Sequence, residues 1–442
     1  MNTPTNPPRY VSTRATDPNK RLSFQEALLA GLAPDGGLYI PTHIPSITPD
    51  SWQDADSFAS LGQQVLWAWL ADDVDKTTFD TIISDALNFP VPVHPLLDDV
   101  FVLELFHGPT LSFKDFGART MARLMNYFLQ QQGRTLTILV ATSGDTGSAV
   151  ADGFAGLDNI DVVLLYPKGK VSNIQERQLI TARPGVQALA VQGSFDDCQR
   201  LVKAAFVDED LAHLPLSSAN SINIGRLLPQ SLYYFWAIKT LQKQGIDAAN
   251  VCVPSGNLGN LTAGILAHAM GLPVQHFLAA HNANDFFPEY LHAKTDAYAF
   301  KATVATASNA MDVGSPSNFE RLEHLLGEPM REHIWGMSVD DGTTKTTLQH
   351  HAEAGYLACP HTAVGLHAVT QYRKQTGDTT PAIVLATAHP AKFPDVLRET
   401  GLTPPRVEAL DVLFERDTNV MPLAADPVAL KDYLLGQTVA SS

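Results

Sequence analysis

The stretch "TLTILVATSGDTGSAVADGFAG", Thr135–Gly156, passes from a β-branched apolar run through a small polar loop into a segment with helical spacing of its apolar residues. It reads as strand, loop and helix. The succession then repeats. "DVVLLYP" (161–167) is a strand, "SNIQERQLITAR" (172–183) a helix, "VQALAVQG" (186–193) a strand and "FDDCQRLVKAAFVDE" (195–209) a helix. Repeated βα units predict a mainly parallel sheet covered by helices, hence an α/β protein. A long helix is expected over "NIGRLLPQSLYYFWAIKTLQKQG" (223–245). The pattern then resumes with "NVCVPSG" (250–256) as strand, "NLTAGILAHAMG" (260–271) as helix and "VQHFLAAH" (274–281) as strand, and a late strand lies in "PAIVLATAHP" (381–390).

The first eighty or so residues carry no clear βα repeat. "LSFQEALLAGLAPDGGLYIP" (22–41) and "SWQDADSFASLGQQVLWAWLA" (51–71) read as helices around a turn-rich segment, and the proline-rich "NFPVPVHPLL" (88–97) is a boundary. A small N-terminal domain over 1–90 is therefore expected ahead of a region over 91–442. The tail after Phe393 reads as mixed and helical.

The chain has 442 residues, of which 45% are hydrophobic, as in an ordinary globular protein of two or three domains. Its formal net charge of -16, without a basic cluster, would repel a nucleic acid backbone or an anionic membrane. Any anionic ligand must be gripped locally. Cys198, Cys252 and Cys359 are far apart, which predicts neither a disulfide framework nor a cysteine metal site and fits a reducing cytoplasm. There is no signal-peptide pattern at the N-terminus and no apolar run of membrane-spanning length.

In "FHGPTLSFKDFGART" (106–120), Lys114 stands between Phe113 and Asp115, with Phe116 just beyond. A lysine in such company commonly lays its methylenes on apolar surface and keeps its charge in water. The alternative is a semi-desolvated pocket, held by Phe113 and Phe116, in which the neutral amine is accessible and can form a Schiff base with a carbonyl.

Three polar loops could serve it. In "VCVPSGNLGNLTAGILAHAMG" (251–271) a strand ends at Pro254, and Gly256 and Gly259 let successive N–H groups face one concavity at a helix N-terminus. That is an anion cradle, suited to a phosphate, and neither a Walker P-loop nor a dinucleotide fingerprint; a tight turn without a ligand is the alternative. In "ATSGDTGSAV" (141–150), Thr142, Ser143, Asp145 and Thr146 precede a helix and could hold the carboxylate of an amino acid. Simple N-capping by Ser143, Asp145 or Thr146 is the alternative there. In "SSANSINIGR" (217–226), Ser218, Asn220, Ser221, Asn223 and Arg226 could hold a phosphate or carboxylate, or cap a helix.

His350, His351, His361, His367 and His389 show no metal-ligand spacing, so structural roles are favoured and no metal is expected. No GxSxG elbow supports a serine hydrolase. A lysine in an aromatic setting plus a phosphate cradle on another βα unit fit a cofactor with an aldehyde at one end and a phosphate at the other: pyridoxal phosphate.

This combination resembles the threonine synthases, a family of fold-type-II pyridoxal phosphate enzymes. The likeness runs from "LSFQEALLAGLAPDGGLYIP" through "LELFHGPTLSFKDFGAR", "ATSGDTGSAV", "ANSINIGR", "PSGNLGNLTAG" and "SNAMDV" to "TAHPAKF". It implies that Lys114 is the Schiff-base lysine, that Gly256, Asn257, Leu258, Gly259 and Asn260 form the cofactor phosphate cup, and that Thr387 bonds the pyridine nitrogen. Leu258 departs from the phenylalanine that family members often carry. The resemblance also implies two α/β subdomains within 91–442, the smaller roughly 120–215, and conversion of O-phospho-L-homoserine and water to L-threonine and phosphate, the last step of threonine biosynthesis. Ser143, Asp145, Thr146, Asn220, Asn223 and Arg226 are the expected substrate-binding residues. Arg226 with Asn220 and Asn223 is expected on the rim for the substrate phosphate, with Lys392 or the Ser143 loop next in line. A monomer and a homodimer are both compatible with the sequence. Two other functions stay open: a related phospho-lyase acting on O-phosphohomoserine or O-phosphothreonine, and a non-catalytic relative that binds the cofactor.

Overall fold

The computed structural model describes residues 6–17, 19–327 and 329–440. The βα reading of the sequence resolves into two open sheets. Strands β1 (Tyr10–Ser12) and β2 (Tyr39–Pro41) form a small antiparallel pair. The chain then supplies β3 (Val93–Pro95), β4 (Val100–Glu104), β5 (Leu136–Ala141), β6 (Ile160–Pro167), β7 (Val186–Gln192) and β8 (Leu216–Ser218). After these come β9 (Ala249–Pro254), β10 (Val274–His281), β11 (Ile334–Ser338), β12 (Ala382–Ala386) and β13 (Val420–Ala424). One sheet has the order β11-β10-β9-β12-β4-β3 and is parallel except at β3. The other has the order β13-β7-β6-β5-β8 and is parallel throughout. Central strands such as β9 are buried along their whole length, as parallel strands with helices on both faces must be.

One local expectation differs from the structure. The long helix over 223–245 is divided into Ile224–Leu227, a 3-10 turn Leu228–Ser231 and a helix Leu232–Gln242. Pro229 lies at the break, where its missing N–H cannot serve an α-helical ladder. The tail after Phe393 is mixed, as the sequence predicts, with a strand that the sequence does not place: β13 joins β7 in parallel, and the helix Pro427–Ala440 lies against the helix Phe195–Val207.

The N-terminal segment folds around capped helices. Ser23 and Glu26 form a capping box on Phe24–Ala30, while Ser57 and Asp75 cap Phe58–Val65 and Lys76–Ala86. Its apolar faces enter the same cluster of buried residues as the helix Lys114–Gln132, a continuous core from Tyr10 through Trp69 and Phe79 to Phe116 and Tyr233. Phe116 is fully buried, with ring centroids of Phe58, Phe89 and Tyr233 at 5.2, 4.9 and 5.5 Å. It therefore anchors the lysine helix to the N-terminal segment and does not sit beside Lys114, contrary to expectation. Among the described residues no helix is long and apolar enough to cross a membrane.

Candidate active site

The segment before Lys114 is stitched to the segment after β12. Leu105 N–H donates to the Ala386 carbonyl at 3.0 Å, Phe113 N–H to the Thr387 carbonyl at 2.9 Å and His389 N–H to the Leu111 carbonyl at 3.0 Å. This pairing brings Lys114 and Thr387, remote in sequence, to one cavity. Asp115 holds the turn: its carboxylate accepts from Thr110 N–H at 2.9 Å and Thr110 Oγ1 at 2.6 Å. Gly117 lets the chain at Arg226 come close, since a Cβ there would lie 2.5 Å from the Arg226 carbonyl oxygen.

The same cavity is lined by Gly256, Asn257, Gly259 and Asn260, by Ser143, Asp145 and Thr146, and by Asn220 and Arg226. The Leu258 side chain does not line it. That side chain is buried in the core, and the Leu258 backbone takes the left-handed conformation at φ 60°, ψ 7°, which turns the chain into the helix Gly259–Ala269. No acidic residue occupies that helix's first turn and no side chain caps it. Among the described residues nothing accepts from the N–H groups of Gly256 through Asn260. Asn257 braces this loop, donating to Ser221 Oγ and accepting from Ser317 N–H at 2.5 Å each. Asn260 Oδ1 accepts from Ser255 Oγ at 2.7 Å, and its Nδ2 donates to the Pro254 carbonyl at 2.9 Å. These unpaired amides at a helix N-terminus are a donor set for a phosphate.

In the loop before the helix Asp145–Phe154, capping falls to Thr142, whose Oγ1 accepts from Gly144 N–H at 3.0 Å and Gly147 N–H at 2.8 Å. Ser143, Asp145 and Thr146 are thus not used as caps. Asp145 Oδ1 instead meets Lys392 Nζ at 2.7 Å and Gln175 Nε2 at 3.0 Å.

Asn223 is the one expected substrate-binding residue that the structure does not bring to the cavity. It caps Ile224–Leu227, and its Nδ2 donates to the Leu28 and Ser218 carbonyls at 2.9 and 3.0 Å. Asn220 is half satisfied: Nδ2 donates to the Ala141 carbonyl at 3.0 Å and Oδ1 is buried without a partner. Arg226 Nη1 donates to the Ala219 carbonyl at 2.8 Å, while its buried Nε has no partner.

Burial lowers the Lys114 amine to a pKa of about 8, helped by the positive charges of Arg226 and Lys392 and opposed by Asp145. Its nitrogen lies 5.5 Å from the centroid of the Phe113 ring. Burial pulls Arg226 down to about 10, which leaves it cationic at neutral pH, and Lys392 and Lys114 hold Asp145 well below the usual carboxylate range against burial.

Sequence reasoning missed His361, whose buried ring lines the cavity. Its Nε2 accepts from Ala310 N–H at 3.1 Å, and burial holds its pKa near about 4, so it is a neutral acceptor. No spacing in the sequence sets this histidine apart from the others. The Lys392–Asp145 pair was also hidden, although both residues stand in the motifs quoted above. Among the described residues no group of three or more His, Cys, Asp and Glu is placed to hold a metal ion.

Residues 90–387 match the sequence model of the family described as pyridoxal-phosphate dependent enzyme. Residues 9–87 and 362–434 match the families described as threonine synthase N terminus and threonine synthase, C-terminal. The chain is 42% identical to a threonine synthase of Serratia marcescens over 95% of its length and 98% of the relative's. The crystal structure of threonine synthase from Escherichia coli superposes with a TM-score of 0.89 at 40% identity, covering 97% of this chain and 100% of the other. A PLP-bound threonine synthase from Brucella melitensis gives a TM-score of 0.87 at 36% identity, covering 96% and 98%. Two parallel sheets with a lysine and an amide cradle meeting between them define a pyridoxal-phosphate-dependent enzyme of fold type II. Within that class, the chain belongs to the threonine synthase family.

Proposed function

We propose that this chain converts O-phospho-L-homoserine and water to L-threonine and phosphate with pyridoxal phosphate as cofactor. The observation that carries the proposal is the meeting of Lys114, the unpaired amides of Gly256 to Asn260 and Thr387 in one cavity. When bound, the cofactor supplies an aldehyde that condenses with an amine and a ring that withdraws electrons from the carbon beside that amine.

The residues present fit it. The N–H groups of Gly256 to Asn260 bind its phosphate, and only a glycine fits at 256, where a Cβ would lie 2.8 Å from Met311 Cα. Thr387, on the cavity wall, would offer its hydroxyl to the ring nitrogen; being neutral, it would not enforce protonation there, which leaves the steering of protons to other side chains. Lys114 provides the amine that holds the cofactor, then takes a proton from substrate Cα and moves a second from Cβ, roles for which a pKa of about 8 suits it near neutral pH.

Phosphate leaves Cγ, the proton taken from Cβ is replaced by one delivered to Cγ to make the methyl group, water adds its hydroxyl at Cβ, and Cα regains its proton from the Lys114 side. Arg226 grips the substrate phosphate through its buried, unpaired Nε–H, with Asn220 beside it on the cavity wall. The loop Ser143, Asp145 and Thr146 receives the substrate carboxylate on its backbone amides. The cation Arg226 at the cavity gives local positive charge inside a chain of net charge -16.

Residues 1–90 form the N-terminal unit and 91–442 the catalytic region, a division that the family boundaries at 87 and 90 support. The protein acts in the cytoplasm, as a monomer or a homodimer, without nucleic acid. Incubation of the purified protein with O-phosphohomoserine, with amino-acid and phosphate products both identified, tests the proposal. Equal amounts of threonine and phosphate are expected; 2-oxobutyrate or homoserine as the main product would assign a phospho-lyase or a phosphatase instead.

A further inference from the structure

Lys392 follows β12 and is fully enclosed, with Nζ 2.7 Å from Asp145 Oδ1 and 2.9 Å from the Thr110 carbonyl oxygen. Asp145 follows β5, so the pair joins the two sheets, with Asp145 on the cavity wall. Gln175 extends the bridge: its Nε2 donates to Asp145 Oδ1, and its Oε1 accepts from Asn309 Nδ2 at 3.1 Å. Both contacts to Asp145 fall on Oδ1, and among the described residues no hydrogen bond is made to Oδ2.

Enclosing two charges costs several kcal/mol of hydration for each ion, and well-packed apolar residues often hold such a place as well. Stability alone therefore does not account for the pair. Its position does: Asp145 lines the cavity with Lys114, and Asp145 and Lys392 bear on the Lys114 amine with opposite signs.

We propose that Lys392 is a positioning residue for the Lys114 amine, fixing the Asp145 carboxylate at the cavity wall and offsetting that carboxylate's pull on the amine with its own charge. The inference rests on Lys114 being the base of the proposed reaction. The other ionisable groups around the pair are Arg226 on Ile224–Leu227, Asp115 on the lysine helix, His361 on Pro360–Thr376 and His389 before the Lys392 turn. Burial holds both histidines near about 4 and lifts Asp115 to about 6, while Arg226 loses its proton only near about 10. Among the groups whose values are displaced here, Lys114 is the one brought to about 8. Removing the Lys392 charge leaves Asp145 unopposed, so the Lys114 nitrogen keeps its proton to higher pH.

The experiment compares holoenzymes of wild type, Lys392→Met, Asp145→Asn and the double variant. Two readouts are taken against pH: the acid limb of kcat, and the absorbance of the bound cofactor without substrate, which follows protonation of the same nitrogen. In Lys392→Met both midpoints are expected to rise by about one pH unit, and the added Asp145→Asn change to return them toward wild type. A Lys392→Met enzyme with wild-type midpoints and only a lower melting temperature would overturn the proposal, since a merely structural role moves stability alone. Should Lys392→Met fail to fold, Asp145→Asn decides: a midpoint below wild type supports the proposal and an unchanged one overturns it. Cofactor attached to a lysine other than Lys114 would sink the base assignment whatever these midpoints do, which separates the two failures.

Discussion

Gly256 lies against the backbone of Met311 so closely that a Cβ at 256 would sit 2.8 Å from Met311 Cα and 3.0 Å from its carbonyl oxygen. Backbone cannot swing aside as a flexible side chain does. At Gly259 the corresponding neighbours are softer, Ser221 Cβ at 3.3 Å and Asn318 Nδ2 at 3.5 Å. The two glycines of the cradle are therefore unequal. Gly256→Ala should weaken cofactor binding by about 1–3 kcal/mol, roughly 5- to 150-fold in Kd, while Gly259→Ala changes it far less. Titration of each folded variant with pyridoxal phosphate by absorbance checks this, and equal losses would count against the Met311 contact as the cause.

Borohydride reduction of the holoenzyme followed by peptide mapping should place the cofactor on Lys114. Lys392, the other lysine at this site, is held by Asp145 and the Thr110 carbonyl and should carry no label. Because burial sets the Lys114 amine near a pKa of about 8, its reactive unprotonated form grows as pH rises through that value. Cofactor uptake by stripped protein should quicken over the same range. Lys114→Ala should lose threonine formation together with deuterium incorporation from heavy water.

Arg226 and Asn223 stand three residues apart and should fail in different ways. Arg226→Ala removes a cavity cation with an unpaired Nε, and should lower kcat/KM for O-phosphohomoserine by about 10–150-fold, the worth of one hydrogen bond to a charged group, with the cofactor still bound. Asn223→Ala removes a helix cap and a tie to Leu28, so it should cost about 1 kcal/mol or more in urea unfolding and leave KM near wild type. Unchanged kinetics in Arg226→Ala would move the phosphate site to another part of the cavity.

Phe113 and Phe116 likewise separate. Phe116→Ala, in the aromatic cluster with Phe58, Phe89 and Tyr233, should cost about 3–5 kcal/mol of stability. Phe113 is partly exposed beside the Lys114 nitrogen, and Phe113→Leu should disturb cofactor absorbance more than it disturbs unfolding. A stable Phe116→Ala protein would contradict the packing described here.

Much of this architecture was legible because parallel strands bury both faces and write themselves as continuous β-branched runs, as in "TILVA" and "VVLLYP". The glycine cradle was legible because a strand, a turn and a helix start lie contiguous from Val251 to Ala263. What sequence could not show were directions and long-range pairs. Phe116 and Phe113 look alike three residues apart, yet one side chain enters the core and the other the cavity. His361 and Lys392 take their meaning from Ala310 and Asp145, neighbours only after both sheets have formed. The strand Val420–Ala424 hid because most of it is exposed at a sheet edge, where the apolar pattern is weak.

That edge strand makes order of synthesis matter. As the chain leaves the ribosome, β5 to β8 emerge long before the residues that complete their sheet, so β7 waits as an open edge able to pair with other chains. Lys392 is late as well, and until it arrives Asp145 lacks the cation that meets its Oδ1 at the cavity wall. A nascent chain halted before these segments would hold most of its core, an unshielded strand and a site that cannot yet work.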